Sequence, residues 1–458
     1  MMLVFPPFSL TFSFFLVALL NKTLESYVTS SNDCIKFKLV TCPEDLNEDF
    51  AESKASKQNG KKNGNHEEQP TRIECFNPDM SYAFFGESES IFGYKDLCVK
   101  IYYSSAKLNI YLGMTYSSII SKEQSGGVAP DEILQVISSD YASKIYTNLT
   151  EFSALLDQEK SFVPFGKLCE EFTIDSCREG EQPIKRHFGI YMANNTTAGF
   201  PDYHERLQTF LKWFIEGASY IDMDDERWEY FVMYEKLPLD KSSTRSNSAP
   251  LEFQYCFVGY CSVYRFYAFP DCSRPRIAQF FVLPPFQRIG LGTKLLKSIY
   301  TNYNDKSVVD IQVEDPSESF TKLRDVLDCN LCKNLKSYSP ENLKSGFKQE
   351  MAIEALKSFK IFSRQARRVY EILRLKSIDR NNAKEYRAYR LDIKNRLNAP
   401  YQRQMKHIVE KAKRRVSKSE YETIVKATEV PKDVRLSMLA KQYEALEEEY
   451  LAVIEKLS

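Results

Sequence analysis

Apolar and polar positions change period several times along the chain, and each change marks an element. From Ile277 to Leu283 every residue but Gln279 is apolar, which predicts a mostly buried strand. Pro284 and Pro285 end it, because a proline cannot donate to a ladder. Beyond a turn, Leu295, Leu296 and Ile299 recur at helical spacing. Val308 to Val313 then alternates and closes on Glu314-Asp315-Pro316-Ser317. Pro316 pushes Asp315 toward extended backbone and stops the strand. Strand, helix and second strand in this order predict an α/β core.

The flanking patterns set the domains. Residues 33–50 read as a strand and a connection, and Cys98 to Thr115 alternates with many tyrosines, as a β-hairpin does. Residues 52–72 are rich in Lys, Asn, Gly, Gln and Glu without an apolar period, and predict a disordered insertion. Ser121 to Pro130 reads as a loop. An N-terminal α+β domain over 31–165 follows. From Tyr203 to Tyr220, Leu207, Phe210, Leu211, Phe214, Ile215 and Ala218 line one face of a predicted helix, with Glu216 at its edge. Lys236 to Pro250 is a polar loop, Phe253 to Phe269 reads as tyrosine-rich strands, and Ser319 to Leu327 as a helix. The core then spans 166–335. From Pro340 the pattern is helical to the end. Phe347 to Leu375 is amphipathic within a helical domain at 336–405, and Leu436 to Leu457 is a short coiled-coil candidate in a tail at 406–458.

A length of 458 residues accommodates about two to four domains. The formal net charge is zero, so the whole protein is not a generic nucleic-acid binder and no direct nucleic-acid contact is expected. The charge is unevenly spread. Asp222 to Glu229 is acidic, and Arg364 to Lys418 holds eighteen Lys and Arg against five Asp and Glu. An acidic face suits a lysine-rich peptide; both runs also read as solvated helix surface. The eleven cysteines form no framework, which fits a reducing compartment. Cys329-Asn330-Leu331-Cys332 lacks the second pair that a zinc site wants, and the four histidines form no ligand cluster, so no metal is expected. His204 reads as a packing residue.

The chemistry concentrates in Gln287-Arg288-Ile289-Gly290-Leu291-Gly292-Thr293. Glycines at a helix mouth let backbone N–H groups face a ligand, and the helix N-terminus adds free donors and partial positive charge. That makes an anion site suited to a pyrophosphate, with Arg288 adding a cation. It is not a P-loop, since no Gly-Lys-Ser/Thr follows, nor a dinucleotide fingerprint, since the third glycine is missing. Alone it is equally an ordinary strand-to-helix turn. Glu314 one helix and one strand later reads either as a solvated loop acid or as a functional residue at a strand end. Glu216 reads equally as an exposed helix acid.

Here the sequence resembles a known family. Gln287-Arg-Ile-Gly-Leu-Gly292 is similar to the phosphate-loop motif of the GNAT acetyltransferases. The stretches at 203–231, 258–276, 308–325 and 366–375 resemble one branch, the type B histone acetyltransferase catalytic subunits, with shorter echoes at 38–50 and 91–97. The resemblance implies a GNAT core between the N-terminal α+β and C-terminal helical domains. It implies acetyl transfer from acetyl-coenzyme A to lysines of histone tails, foremost newly synthesised histone H4, by direct attack. It carries cofactor contacts to Phe280, Phe281 and Val282 for the pantetheine arm and to Gln287 through Thr293 for the pyrophosphate. Glu314 would be the general base, with Glu216 and Asp315 assisting or replacing it. Glu87, Ser88, Glu89, Tyr264, Arg265 and Phe266 would hold the histone tail beside Trp228. A WD-repeat histone chaperone is the implied partner, and the nucleus and cytoplasm the implied location. Close relatives carry glycine where this chain has Arg288. Other readings are an acetyltransferase for another amine acceptor, or a histone-binding scaffold without catalysis.

Residues 1–20 are almost wholly apolar, as in a signal peptide or membrane anchor, but lack a basic start and an obvious cleavage site. An upstream extension of the reading frame and a membrane-targeted variant both account for them, and a membrane role is expected only in the second case. In that case the sequons at Asn21, Asn148, Asn194 and Asn195 would gain meaning.

Overall fold

A computed structural model describes residues 24–47, 49–50, 73–176, 184–238, 253–415 and 417–457. The expected insertion at 52–72 and the apolar stretch at 1–20 lie outside these residues. The fold is mixed α/β and forms two compact units. One holds the chain up to Tyr264 together with Ala278–Leu295, and the other holds Arg265–Ile277 and everything from Leu296.

In the first unit a four-stranded sheet runs in the order β1 (Ile35–Val40), β2 (Cys98–Ser104), β3 (Ile110–Thr115), β4 (Ile145–Tyr146). β2 and β3 form the hairpin that their alternation predicts, and β1 lies parallel to β2. Phe37 on β1 is fully buried and has the rings of Tyr103, Phe210, Trp213 and Phe214 within 6.3 Å. This aromatic core fixes β1 against the segment predicted as one long helix.

That segment is not one helix. It divides into α1 (Phe200–Leu207), a 3-10 turn at Gln208–Phe210, and α2 (Leu211–Phe214). Gly217 then takes φ +68, a left-handed backbone that closes the turn and leaves Glu216 exposed outside any helix. His204 in α1 is fully buried with Nε2 2.7 Å from the Tyr260 hydroxyl. Burial pushes its imidazole down to about 3, so it packs as a neutral ring.

A second sheet in this unit orders β5 (Lys167–Ser176), β6 (Ile184–Asn194), β7 (Trp228–Pro238) and β8 (Phe253–Ala268), each antiparallel to the next, followed by the later half of β9 (Cys272–Val282). Phe253 to Phe269 is thus one long strand rather than several. β9 begins five residues before the predicted Ile277 and alternates: Ile277, Gln279 and Phe281 are buried, while Ala278, Phe280 and Val282 are half-buried. The expectation of a strand buried on both faces is corrected accordingly.

In the second unit, β10 (Gln312–Val313) lies parallel to the early part of β9, pairing Arg276 with Gln312 and Ile277 with Val313. The alternating run from Val308 yields only this short strand plus single bridges at Val308 and Ile311. Helix α3 (Leu291–Asn302) passes from the first unit into the second. The second unit also holds α4 (Glu318–Cys332), a short helix at Pro340–Lys344, α5 (Gln349–Phe359), α6 (Ser363–Ser377), α7 (Ala383–Arg415), α8 (Lys418–Thr428) and α9 (Lys432–Ile454). The amphipathic run at 347–375 breaks in two because Lys360 adopts φ +59 and its carbonyl accepts from Ile311 N–H. The coiled-coil candidate is α9, and its apolar seam is used within the chain. Tyr443 and Tyr450 are buried, and Tyr450 donates to Glu371 of α6.

Candidate functional site

In the first unit, three features meet around the end of β9. Leu283 N–H donates to Val258 O, at the point where the β7–β8 register shifts. At Gly259 of β8 a Cβ would stand 2.9 Å from Phe281 O, so only glycine lets the two strands approach this closely. Phe286 is buried beneath the Arg186 guanidinium, 5.4 Å from its ring, and Arg186 is itself paired with Glu235. The strand end and the following loop are therefore held from both sides.

The loop then turns through two left-handed residues, Arg288 at φ +67 and Gly290 at φ +89. Gly290 O accepts from Lys294 N–H, which makes Gly290 the cap of α3. The N–H groups of Leu291, Gly292 and Thr293 then have no partner within their own helix. A Cβ on Gly290 would meet nothing within 4 Å. The space beside Gly290 at the mouth of the helix is therefore open, as an anion site requires. Gln287 and Arg288 are exposed, while Ile289 is half-buried. The Gln287 amide donates to Val282 O at 2.8 Å, so this side chain ties the loop to the strand and occupies a carbonyl expected to serve the cofactor. Phe280 is half-buried, and the Phe281 ring is buried against Phe214 at 6.3 Å, which leaves Phe281 only its backbone to offer.

The other residues of this unit divide by role. Trp228 and Tyr264 meet edge to face at 4.9 Å, and Tyr264 donates to Asp225. Arg227 pairs with the same carboxylate and holds it well below the usual range. Glu229 is buried. The acidic run thus presents Asp222, Asp224 and Glu226 rather than all five of its carboxylates. Glu89, at φ +45, accepts from the N–H groups of Ser81 and Tyr82 and from Asn32; these bonds hold its carboxyl below the ordinary range and make it a helix cap. Glu87 and Ser88 are exposed, with Ser88 Oγ 3.0 Å from Ser90 Oγ.

In the second unit, Glu314 sits at the end of β10, as predicted. Its N–H donates to Ile277 O at 2.9 Å, and its carboxylate lies 3.2 Å from Arg276 Nη2 with 43% of the side chain exposed. Arg276 in turn lies over the Phe266 ring at 4.5 Å. Arg265 donates to Ser273 Oγ. Asp315 is exposed at φ +30, not in the extended backbone expected before Pro316; aspartate tolerates such values better than most residues.

Two residues of this region were assigned no role from sequence. Arg276 is the cation beside Glu314, and nothing in its one-dimensional context marks it. Gln279 was visible as the lone polar residue in its strand. Its amide donates to Ser219 O at 2.9 Å and its carbonyl accepts from Ser262 at 3.1 Å, so it fastens the 215–220 turn that carries Glu216. Among the described residues, no three of His, Cys, Asp and Glu gather closely enough to hold a metal, and Cys329 and Cys332 are buried in α4. No helix among them is long and apolar enough to cross a membrane.

Comparison with known proteins bears on these features. Residues 27–216 match the family model "Histone acetyl transferase HAT1 N-terminus", and residues 324–375 match "Histone acetyltransferase type B catalytic subunit, C-terminal". The histone acetyltransferase type B catalytic subunit of Homo sapiens is 38% identical over 96% of this chain and 95% of its own length. The protein of the same name from Cryptococcus neoformans is 33% identical over 88% of this chain and 97% of its own. Among solved structures, an aminoglycoside acetyltransferase from an uncultured soil metagenomic sample aligns with 30% of this chain and 83% of its own at 16% identity, with a TM-score of 0.21, too slight a likeness to carry an argument.

Proposed function

The chain belongs to the family of histone acetyltransferase type B catalytic subunits and is a histone acetyltransferase, and we propose that it transfers acetyl from acetyl-coenzyme A to lysines of the histone H4 tail with Glu314 as general base. The observation that carries this reading is the placement of Glu314. It lies at a strand end, its backbone is tied to β9 through Ile277, and its carboxylate is oriented by Arg276. A lysine ammonium has a pKa near 10.4, so freeing its amine at neutral pH costs about 4–5 kcal/mol. A fixed carboxylate can take that proton, directly or through one water. The amine then attacks the thioester carbonyl, the acetyl–sulfur bond breaks, and coenzyme A leaves as a thiolate that takes up the proton shed by the new amide nitrogen. No covalent enzyme intermediate is required.

The end of β9, the loop and the mouth of α3 form the cofactor side of a GNAT-type core in this reading. The free N–H groups of Leu291 to Thr293 and the open space at Gly290 suit a pyrophosphate, and Arg288 supplies a cation where relatives use glycine. Asp222, Asp224 and Glu226 suit a basic peptide. The family resemblance supports a WD-repeat histone chaperone as partner, and the nucleus and cytoplasm as the place of action.

The test is acetyl transfer from labelled acetyl-coenzyme A to an H4 tail peptide by the full chain, beside other histone tails and small amines. Preferential labelling of H4 lysines is the expected result. Bound acetyl-coenzyme A without transfer to H4 would point to another acceptor or to a scaffold.

The loop makes a separate prediction. Gly290 sits at φ +89, where an L residue is strained by about 1–2 kcal/mol. In Gly290→Ala the loop is expected to relax and turn its N–H groups off the phosphate line. Acetyl-coenzyme A binding measured by calorimetry should weaken about tenfold, the equivalent of 1.4 kcal/mol, with little change in melting temperature.

A further inference from the structure

The later half of α7 carries a face that the acetyl-transfer reading leaves unused. From Tyr401 onward, Tyr401, Met405 and Ile408 are half-buried and Ala412 is buried, so they line one side of the helix. This side packs within the bundle: Tyr401 lies beneath Arg435 of α9, and α7 also touches α8. The opposite side exposes Arg403, Lys406, His407, Lys411, Lys413 and Arg414, with Glu410 the one acid among them. At 100° per residue these positions fall within roughly half of the helix circumference, over an axial span of about 17 Å.

Of the five cations in the first half of the helix, Lys384 and Arg387 are exposed without an ion pair among the described residues, and the other three are engaged. In the first half, Arg390 and Lys394 lie over tyrosine rings and Arg396 is bound to Glu371. In the second half, no ion pair among the described residues engages Arg403, Lys406, Lys411, Lys413 or Arg414. Five cations without an ion pair among the described residues, set against the single acid Glu410, form a local positive concentration that the zero net charge of the whole chain conceals.

We propose that this face binds the phosphate backbone of nucleic acid without sequence preference. The apolar side is already packed, so the helix cannot lie in a membrane surface as free basic amphipathic helices do. Protein partners are anchored by buried aromatic or aliphatic side chains. Among the described residues no large apolar side chain is exposed between Leu391 and Val434. A duplex backbone needs no such anchor. It needs spaced cations and amide or imidazole donors, and gains affinity by releasing counterions.

The test uses the full chain and a mixed-sequence DNA duplex of about 24 base pairs, read by fluorescence anisotropy across a salt series. With three to five phosphates neutralised, the slope of log K against log salt should be about −3 to −4.5. Affinity should then fall roughly 40- to 500-fold between about 50 and 200 mM salt. The variant Arg403→Gln/Lys406→Gln/Lys413→Gln/Arg414→Gln should bind at least about tenfold more weakly, with a slope nearer −1. Its melting temperature and its acetylation of a histone peptide should stay unchanged. A flat salt dependence, equal binding by chain and variant, or preference for poly-glutamate over DNA would each overturn the proposal. The last would reassign the face to an acidic polypeptide.

Discussion

Replacing Glu314 by glutamine should lower kcat by about a hundred- to a thousandfold while leaving the KM for acetyl-coenzyme A nearly unchanged. Glutamine keeps the shape of the side chain and can still accept from Arg276, which stands 3.2 Å from the carboxylate. What it loses is the capacity to take a proton. The pH profile separates this from a packing defect. At about pH 7.4 only one lysine in roughly a thousand is a free amine, and each added pH unit raises that fraction about tenfold. The variant's rate should therefore climb about tenfold per unit toward pH 9, while the parent, which has a carboxylate to take the lysine proton, should depend on pH far less. A merely structural loss would be parallel at every pH. If activity survives intact in the variant, the base is Glu216 or Asp315.

The elements that sequence made legible are those punctuated by special residues. Pro284, Pro285 and Gly290 bound a strand, a loop and a helix start, and the structure puts each of them where the punctuation does. Hidden elements are those whose limits depend on tertiary contacts. Arg274-Pro275-Arg276 does not look like strand, yet β9 starts at Cys272 because alternate residues there meet a buried face. The helix period from Leu207 to Ala218 continues past the real helix end, since periodicity does not register that Gly217 turns left-handed. Lys360 breaks a helical run for the same reason, with Ile311 supplying the hydrogen bond that stabilises the break. At the site, sequence located Glu314 but not its cation. Arg276 reaches it only because β9 and β10 pair in one particular register. The acidic run presents fewer carboxylates than it contains, because Glu229 is buried and Asp225 is paired with Arg227, a neighbour whose side-chain direction no spacing rule gives.

Glu371→Ala should be the most destabilising single change in the C-terminal helices. Glu371 is fully buried in α6, and its carboxylate accepts from Arg367 at 2.8 Å, from Arg396 of α7 at 2.7 and 2.9 Å, and from Tyr450 of α9 at 2.8 Å. One side chain thus joins three helices. Truncation removes all four bonds and leaves two guanidinium groups facing one another beside an unpaired buried hydroxyl. Removing one partner of a buried ion pair typically costs about 3–5 kcal/mol. Here the lower end applies, because Arg367 and Arg396 side chains are 19% and 38% exposed and regain some hydration. About 3 kcal/mol corresponds to a fall in melting temperature of roughly 6–12 °C for a unit of this size. Calorimetry of the full chain should place that shift in the transition of the second unit. Tyr450→Phe removes only the hydroxyl and should lower stability by about 1 kcal/mol. Were Glu371→Ala no worse than Tyr450→Phe, the carboxylate would not be what joins α6, α7 and α9, and the buried Tyr389, Tyr443 and Tyr450 would hold the three helices by packing.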